Sequence, residues 1–184
     1  MNKDKIKWDE RHANDPYPDI PSPLLENHIE LLSGGEALDV ACGTGRNAKF
    51  LSKHGYKVKC VDISEVAINS LKGLEYISGE CVDLEEYRPP KNSFDLIVNV
   101  HYLQRKLFPY FKESLKQNGL LFFETFVEHK DTPSRSFSNR DHYLRVNELL
   151  HAFIGMEIIY YSEKKIIRFN NEPAYLASLI ARKY

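Results

Sequence analysis

Three features at close spacing carry chemical potential in this chain. They are the glycines of Gly43-Thr44-Gly45-Arg46-Asn47-Ala48, the acid Asp39 before them and the acid Asp62 after them. Glycines spaced this way let a ligand approach the backbone closely. A helix starting at Arg46 would present free amides to that ligand. The pattern G-x-G-x-x-G/A, after a strand and before a helix, is a nucleotide cradle. Taken alone the glycines suit several nucleotides.

Asp39 narrows the choice. A dinucleotide would set an anionic pyrophosphate beside this carboxylate, which repels it. S-adenosylmethionine (SAM) has no phosphate, and it carries an ammonium and a sulfonium. Two opposite unit charges ~4 Å apart attract by ~4 kcal/mol at an effective dielectric near 20, before desolvation. Asp62, at the end of the next strand, can accept both hydroxyls of a ribose. It therefore speaks for a nucleoside rather than for one cofactor. Ile63 can pack on an adenine face. Asp83 can accept the adenine amino group, with Val82 or Leu84 flanking the ring. Cys42 reads as a small buried filler, since the motif sets no histidine beside it.

The elements that position these residues alternate along the chain. Residues 12–23 read as a loop, and Ser22 and Pro23 then open a helix as N-cap and first helical residue. Leu24, Leu25, Ile29 and Leu32 form its stripe, and Ser33-Gly34-Gly35 ends it. Strands are predicted at 37–41, 57–61, 75–78, 94–100 and 120–126. Helices are predicted at 46–54, 64–71, 106–117 and 146–153. Two last strands, 157–161 and 175–182, leave no room for a crossover helix and so form an antiparallel pair at one edge. The fold expected is α/β: a doubly wound, mostly parallel seven-stranded sheet, Rossmann-like, with an antiparallel last strand. Residues 1–184 are expected to form one domain, with 1–33 as an N-terminal lid and helix.

Bulk properties exclude several classes. The chain has 184 residues, 42% of them hydrophobic, which suits one domain with a sizeable core. Its net charge of −1 points away from a nucleic-acid partner. Cys42, Cys60 and Cys81 are an odd set without CxxC spacing, which points to a reducing compartment, read as the cytoplasm, and away from a zinc site. No secretory signal and no membrane span is expected.

The acceptor of any transfer reaction should sit beyond the carboxyl ends of the strands. That edge gathers Asn99, Val100, His101 and Tyr102, then Glu124, Thr125 and Phe126. The N-terminal segment with Trp8 and Arg11 could fold over it. A loop of about 19 residues, 127–145, is long enough to expect a function. Its Arg135, Arg140 and Arg145 could hold an anionic acceptor bidentately. A soft anionic nucleophile needs no strong base, whereas an oxygen or nitrogen acceptor would look to His101 or Glu124. No Asn-Pro-Pro-Tyr-type motif follows the fourth strand, which favours a small-molecule acceptor over a base or protein amide.

At these residues the chain resembles the class I SAM-dependent methyltransferases over nearly its full length. Leu38-Asp39-Val40-Ala41-Cys42-Gly43-Thr44-Gly45 is similar to their first motif, and Val61-Asp62-Ile63-Ser64 to their acidic second strand. Val82-Asp83-Leu84 and Phe94-Asp95-Leu96-Ile97-Val98 are similar to the third and fourth. A narrower resemblance, to the tellurite-resistance-like methyltransferases, rests on four features: Trp8-Asp9-Glu10-Arg11, Gly45-Arg46-Asn47, Glu124-Thr125-Phe126 and Asn139-Arg140-Asp141-His142. The resemblance implies SAM as cofactor, bound by Asp39, Ala41, Gly43, Gly45, Arg46, Asn47, Asp62, Ile63, Asp83, Leu84 and Asn99. From their places beyond the strand ends and in the long loop, His101, Glu124 and Arg140 are the residues expected to serve the acceptor, and no metal site is expected. The chain departs from the resemblance at Gln104-Arg105, where His-Arg is expected. An NAD(P)-dependent oxidoreductase and a non-catalytic SAM-binding module are the alternatives.

Overall fold

Alternating apolar side chains along the strands build a sheet that is covered on both faces. Leu38, Val40, Ile97, Leu121, Phe123 and Leu179 point to one face; Ala37, Leu96, Val98, Leu120, Phe122 and Ile180 point to the other. The computed structural model describes residues 2–14, 18–129, 142–167 and 171–184.

Seven strands lie in the order β3-β2-β1-β4-β5-β7-β6. They are β1 (Gly35–Val40), β2 (Tyr56–Asp62), β3 (Ile77–Cys81), β4 (Phe94–Val100), β5 (Leu115–Phe126), β6 (Glu157–Ile167) and β7 (Pro173–Arg182). Neighbours among β1 to β5 are parallel, while β7 runs antiparallel to both β5 and β6. This is the mostly parallel, seven-stranded arrangement with an antiparallel last strand that the spacing predicts.

The helices are α1 (Asn2–Asn14), α2 (Pro23–Glu26), α3 (Arg46–Lys53), α4 (Glu65–Asn69), α5 (Phe108–Ser114) and α6 (Glu148–Phe153). Leu25, Leu51 and Ile68 bring α2, α3 and α4 to one face. Phe111 and Phe153 bring α5 and α6 to the other. There Phe108 meets Phe123 edge-on at 5.6 Å between centroids, and Phe153 lies 5.3 Å from Phe108. Truncating a buried phenylalanine of this kind costs about 3–5 kcal/mol.

Several boundaries differ from the sequence expectation, each for a physical reason. The predicted helix after Ser22 is split into α2 and a 3-10 turn at Ile29–Leu31. His28 leaves helical geometry at φ −130°, its ring nitrogen lies 3.0 Å from the Leu24 carbonyl, and Ile29 is left exposed. The helix predicted to reach residue 117 stops at Ser114, because Leu115 pairs with Phe94 on β4. Asn118 then takes φ +63° beside Gly119, whose missing Cβ would meet two carbonyl oxygens at 3.0 Å. The third strand lies at Ile77–Cys81 rather than 75–78, since Tyr76 has φ +62° and only Ile77 onward follows β2. β6 runs on to Ile167 as an edge strand through the polar run Ser162-Glu163-Lys164-Lys165, a composition that discourages further edge pairing. Among the described residues, no helix is long and apolar enough to cross a membrane.

Candidate cofactor and acceptor site

The end of β1 turns sharply into α3. Ala41 has φ +52°, Gly43 +55° and Gly45 +78°. The last two are at home in glycine; the first is a strained alanine within the motif, two residues before the first glycine. A Cβ at Gly45 would also stand 2.5 Å from Leu71 Cδ2, so a side chain there would have to displace that buried leucine. Gly45, the N-cap of α3, has no side chain with which to cap the helix.

The acids of the motif divide their work. Asp62 Oδ2 accepts from the Gly43 amide at 2.8 Å, and Oδ1 accepts from the Ser64 amide at 2.9 Å. This carboxylate braces the loop, and each oxygen keeps a lone pair for a ribose hydroxyl. Asp39 lies on the α3 side of the sheet and is only 1% exposed. Burial pushes its carboxyl up to about 7, against the pull of Arg46 and a hydrogen bond from the Ala48 amide, and Asp62 pushes in the same direction as burial. Its Oδ2 has no hydrogen-bond partner. A buried carboxylate oxygen left unpartnered beside a glycine cradle fits a cationic group of a ligand and disfavours a phosphate.

Other candidates already hold partners within the protein. Asn47 Oδ1 accepts from the Ser22 amide at 2.9 Å, and Arg46 donates to the Ile20 carbonyl at 3.1 Å. Both side chains tie the segment before α2 to α3. Asp83 accepts from the Glu85 amide at 3.0 Å and opens a turn through Tyr87. Leu84 is 4% exposed and belongs to the core, whereas Val82 and Ile63 are half-buried. Asn99 is buried and donates to the Tyr102 carbonyl at 2.7 Å. A hydrogen bond to Cys60, with burial, raises the Cys42 thiol well above its ordinary range, as suits a buried filler.

On the acceptor side, His101 sits exposed at the end of β4 with φ +59°. Its ring stacks on Phe126 at 5.3 Å, and Phe126 lies 6.2 Å from Tyr143. Glu124 is buried; it accepts from Ser22 Oγ at 3.3 Å and from Ser178 Oγ at 2.6 Å. Arg105, which keeps the arginine of the expected His-Arg pair while Gln104 replaces its histidine, forks onto Glu148 and also donates to the Tyr143 carbonyl at 2.9 Å. Arg135 and Arg140 lie outside the described residues, and Arg145 is exposed. Among the described residues, no group of three or more His, Cys, Asp and Glu is placed to hold a metal ion.

The N-terminal segment holds what sequence reasoning missed. Residues 2–14 form a helix, α1, where no separate element is predicted, and its last turn takes up the start of the stretch 12–23 that reads as a loop. It docks on α4 through Asp9, which accepts from Ser64 Oγ at 2.7 Å and from the Val66 amide at 3.1 Å. Lys5 bonds Asp9 at 2.9 Å and Glu65 at 3.1 Å. Burial opposes the charge on Asp9, but Lys5, Ser64 and Val66 outweigh it and hold the carboxyl at about 2. His12 is buried, stacks on Trp8 at 5.9 Å and lies against Gly43. The spacing 5, 8, 9, 12 was the available signal; it is helical, but its residues are polar or aromatic.

Residues 37–119 match the methyltransferase domain family. A ubiquinone biosynthesis O-methyltransferase of Coxiella burnetii is 32% identical over 117 residues, which are 56% of this chain and 50% of that protein. Its counterpart in Idiomarina loihiensis is 27% identical over 113 residues, 55% of this chain and 46% of that one. The chain thus spans about half the length of these curated relatives. Among solved structures, TehB from Haemophilus influenzae superposes with a TM-score of 0.78 at 23% identity, covering 97% of this chain and 67% of TehB. A SAM-dependent methyltransferase from Methanosarcina mazei superposes with a TM-score of 0.70 at 19% identity, covering 89% and 98%. Residues 37–119 thus resemble a methyltransferase domain, and the chain shares the fold of these solved methyltransferases.

Proposed function

We propose that this chain is a SAM-dependent methyltransferase acting on a small molecule held beyond the carboxyl ends of β4 and β5. The observation that carries this reading is Asp39, a buried carboxylate with an unpartnered oxygen beside the glycine loop. Bound SAM supplies an electrophilic methyl carbon on a sulfonium. The chain's own residues bind and orient. Asp39 accepts from the ligand's ammonium, and Asp62 holds Gly43 in place while its spare lone pairs meet the ribose. Asp83 and the half-buried Val82 and Ile63 flank the adenine. Residues 1–33 close over this end of the sheet as lid and helix, with the rest of the chain in the same domain.

The acceptor that fits best is a soft sulfur, selenium or tellurium nucleophile or another anionic compound. Glu124, one of the two candidate bases, faces Ser22 and Ser178 inside the protein. An acceptor that reacts as an anion needs no base. Arg140 is then a candidate to hold its charge. A second reading is a planar phenol, favoured by the His101–Phe126–Tyr143 array. With a phenol, His101 would take the proton.

Calorimetric titration with S-adenosylhomocysteine and with NADH tests the cofactor; tight NADH binding with no response to S-adenosylhomocysteine would overturn the reading. Transfer of labelled methyl to a thiol, selenite, tellurite or catechol tests the acceptor class. Cofactor binding with no transfer across a broad panel would mark a binding module instead.

A further inference from the structure

Two side chains of different character each leave a buried polar atom without a partner at one loop. Among the described residues, only three buried side-chain atoms lack a hydrogen bond: His12 Nδ1, Asp39 Oδ2 and the Tyr87 hydroxyl. The first two belong to residues that border the glycine loop. His12 is 8% exposed, and its Cε1 stands 3.1 Å from where a Cβ on Gly43 would be. Its Nε2 and Nδ1 follow at 3.7 and 3.9 Å, so the imidazole lies along the loop. Asp39 is on the sheet beneath, accepting from the first turn of α3.

A ligand with an α-amino-acid end presents an ammonium and a carboxylate. Asp39 suits the ammonium. The ligand's carboxylate must find donors away from Asp39 and Asp62, which repel it. The loop offers α3 amides and the His12 imidazole; Arg46 is drawn aside to the Ile20 carbonyl. The rest of α1 supports a moving part. Its docked stripe is Lys5, Trp8, Asp9 and His12, with no aliphatic residue among them, and Ile6 is 52% exposed. A helix held by polar contacts opens more readily than one held by apolar burial.

We infer that His12 is a cofactor-binding residue carried on a lid helix, and that its imidazole donates a hydrogen bond to the carboxylate of the ligand's amino-acid end. The inference rests on the SAM reading above. Closure of α1 is then coupled to the amino-acid half of the ligand, while the nucleoside half is held by Asp62 and its neighbours.

Calorimetric titration of the full chain separates the two halves. One probe is S-adenosylhomocysteine; the other is 5′-methylthioadenosine, which lacks the amino-acid end. His12→Ala should weaken S-adenosylhomocysteine binding about tenfold and leave methylthioadenosine binding unchanged. His12→Asn, which keeps a donor near the Nδ1 position, should recover most of the loss. Equal affinity of His12→Ala and wild type for S-adenosylhomocysteine would overturn the inference. So would an equal loss for both probes, which would mean that the imidazole merely packs the lid. If the wild type binds neither probe, the SAM reading fails together with the inference.

Discussion

Asp39 carries a titration of its own. Folded, its carboxyl keeps a proton up to about pH 7 because it is buried; an unfolded aspartate loses it near pH ~3.9. The folded state therefore binds more protons across that window, and stability falls as pH rises through it. Asp39→Asn removes this slope. Its melting temperature should match or exceed that of the wild type above pH 7, with the gap closing toward pH 4. A cationic ligand reverses the balance by favouring the ionised form. Binding of S-adenosylhomocysteine near pH 7 should therefore release a fraction of a proton, measured by calorimetry in buffers of different ionisation enthalpy. A binding enthalpy independent of the buffer would place the ammonium elsewhere. Asp62→Ala removes the acceptor of two backbone amides as well as the proposed ribose contact, so it should weaken the ligand by about 1.5–3 kcal/mol. The type and place of both acids were legible in sequence, because charge at a strand end depends on neither packing nor register. The brace from Asp62 to Gly43 was not, since it pairs the end of β2 with the loop that follows β1.

Elements explain why the boundary of the site was harder to read than its centre. β1, β4 and α3 are local: their apolar periodicity and the glycines mark them. α1 is different, because tertiary hydrogen bonds hold it and its composition reads as solvated. Asp9 is the point where this is tested. Its carboxyl is held at about 2, against ~3.9 in an unfolded chain, so its contribution is present above pH ~4 and lost as pH falls through 2. Asp9→Ala should undock α1 at neutral pH, at a cost of about 1.5–3 kcal/mol for hydrogen bonds to a charged group. Hydrogen exchange would show faster exchange in residues 2–14 and none of it in β1, β4 or β5. Uniformly faster exchange would mean that α1 is part of the cooperative core. α5 makes the same point in reverse. Its helical periodicity continues to residue 117, yet the Phe94–Leu115 pairing draws the chain into β5 at Leu115. A non-local partner decided that boundary.

Across the whole molecule, one carboxylate joins the two ends of the described chain. Glu124 sits near the carboxyl end of β5, accepts from Ser178 Oγ of β7 near the carboxyl terminus, and accepts from Ser22 Oγ at the cap of α2 near the amino terminus. Ser22 also accepts from the Leu24 amide, and its own amide reaches Asn47 on α3. Two roles for Glu124 thus predict different molecules. As a base, it would touch the acceptor; Glu124→Ala would then lower kcat by about 10²-fold or more and barely move the melting temperature. As a buried junction, its removal strands two seryl hydroxyls at about 1–3 kcal/mol each. For a chain of this size that is a fall on the order of 5–15 °C in melting temperature, with loosened α2 and little change in the chemical step. Glu124→Gln keeps an acceptor for one hydroxyl and should fall between wild type and alanine in stability. The structure favours the junction, since both seryl donors are buried with it. Thermal melts and single-turnover methyl transfer on the two variants separate these outcomes. A large rate loss in a fully stable Glu124→Gln would return Glu124 to the reacting site.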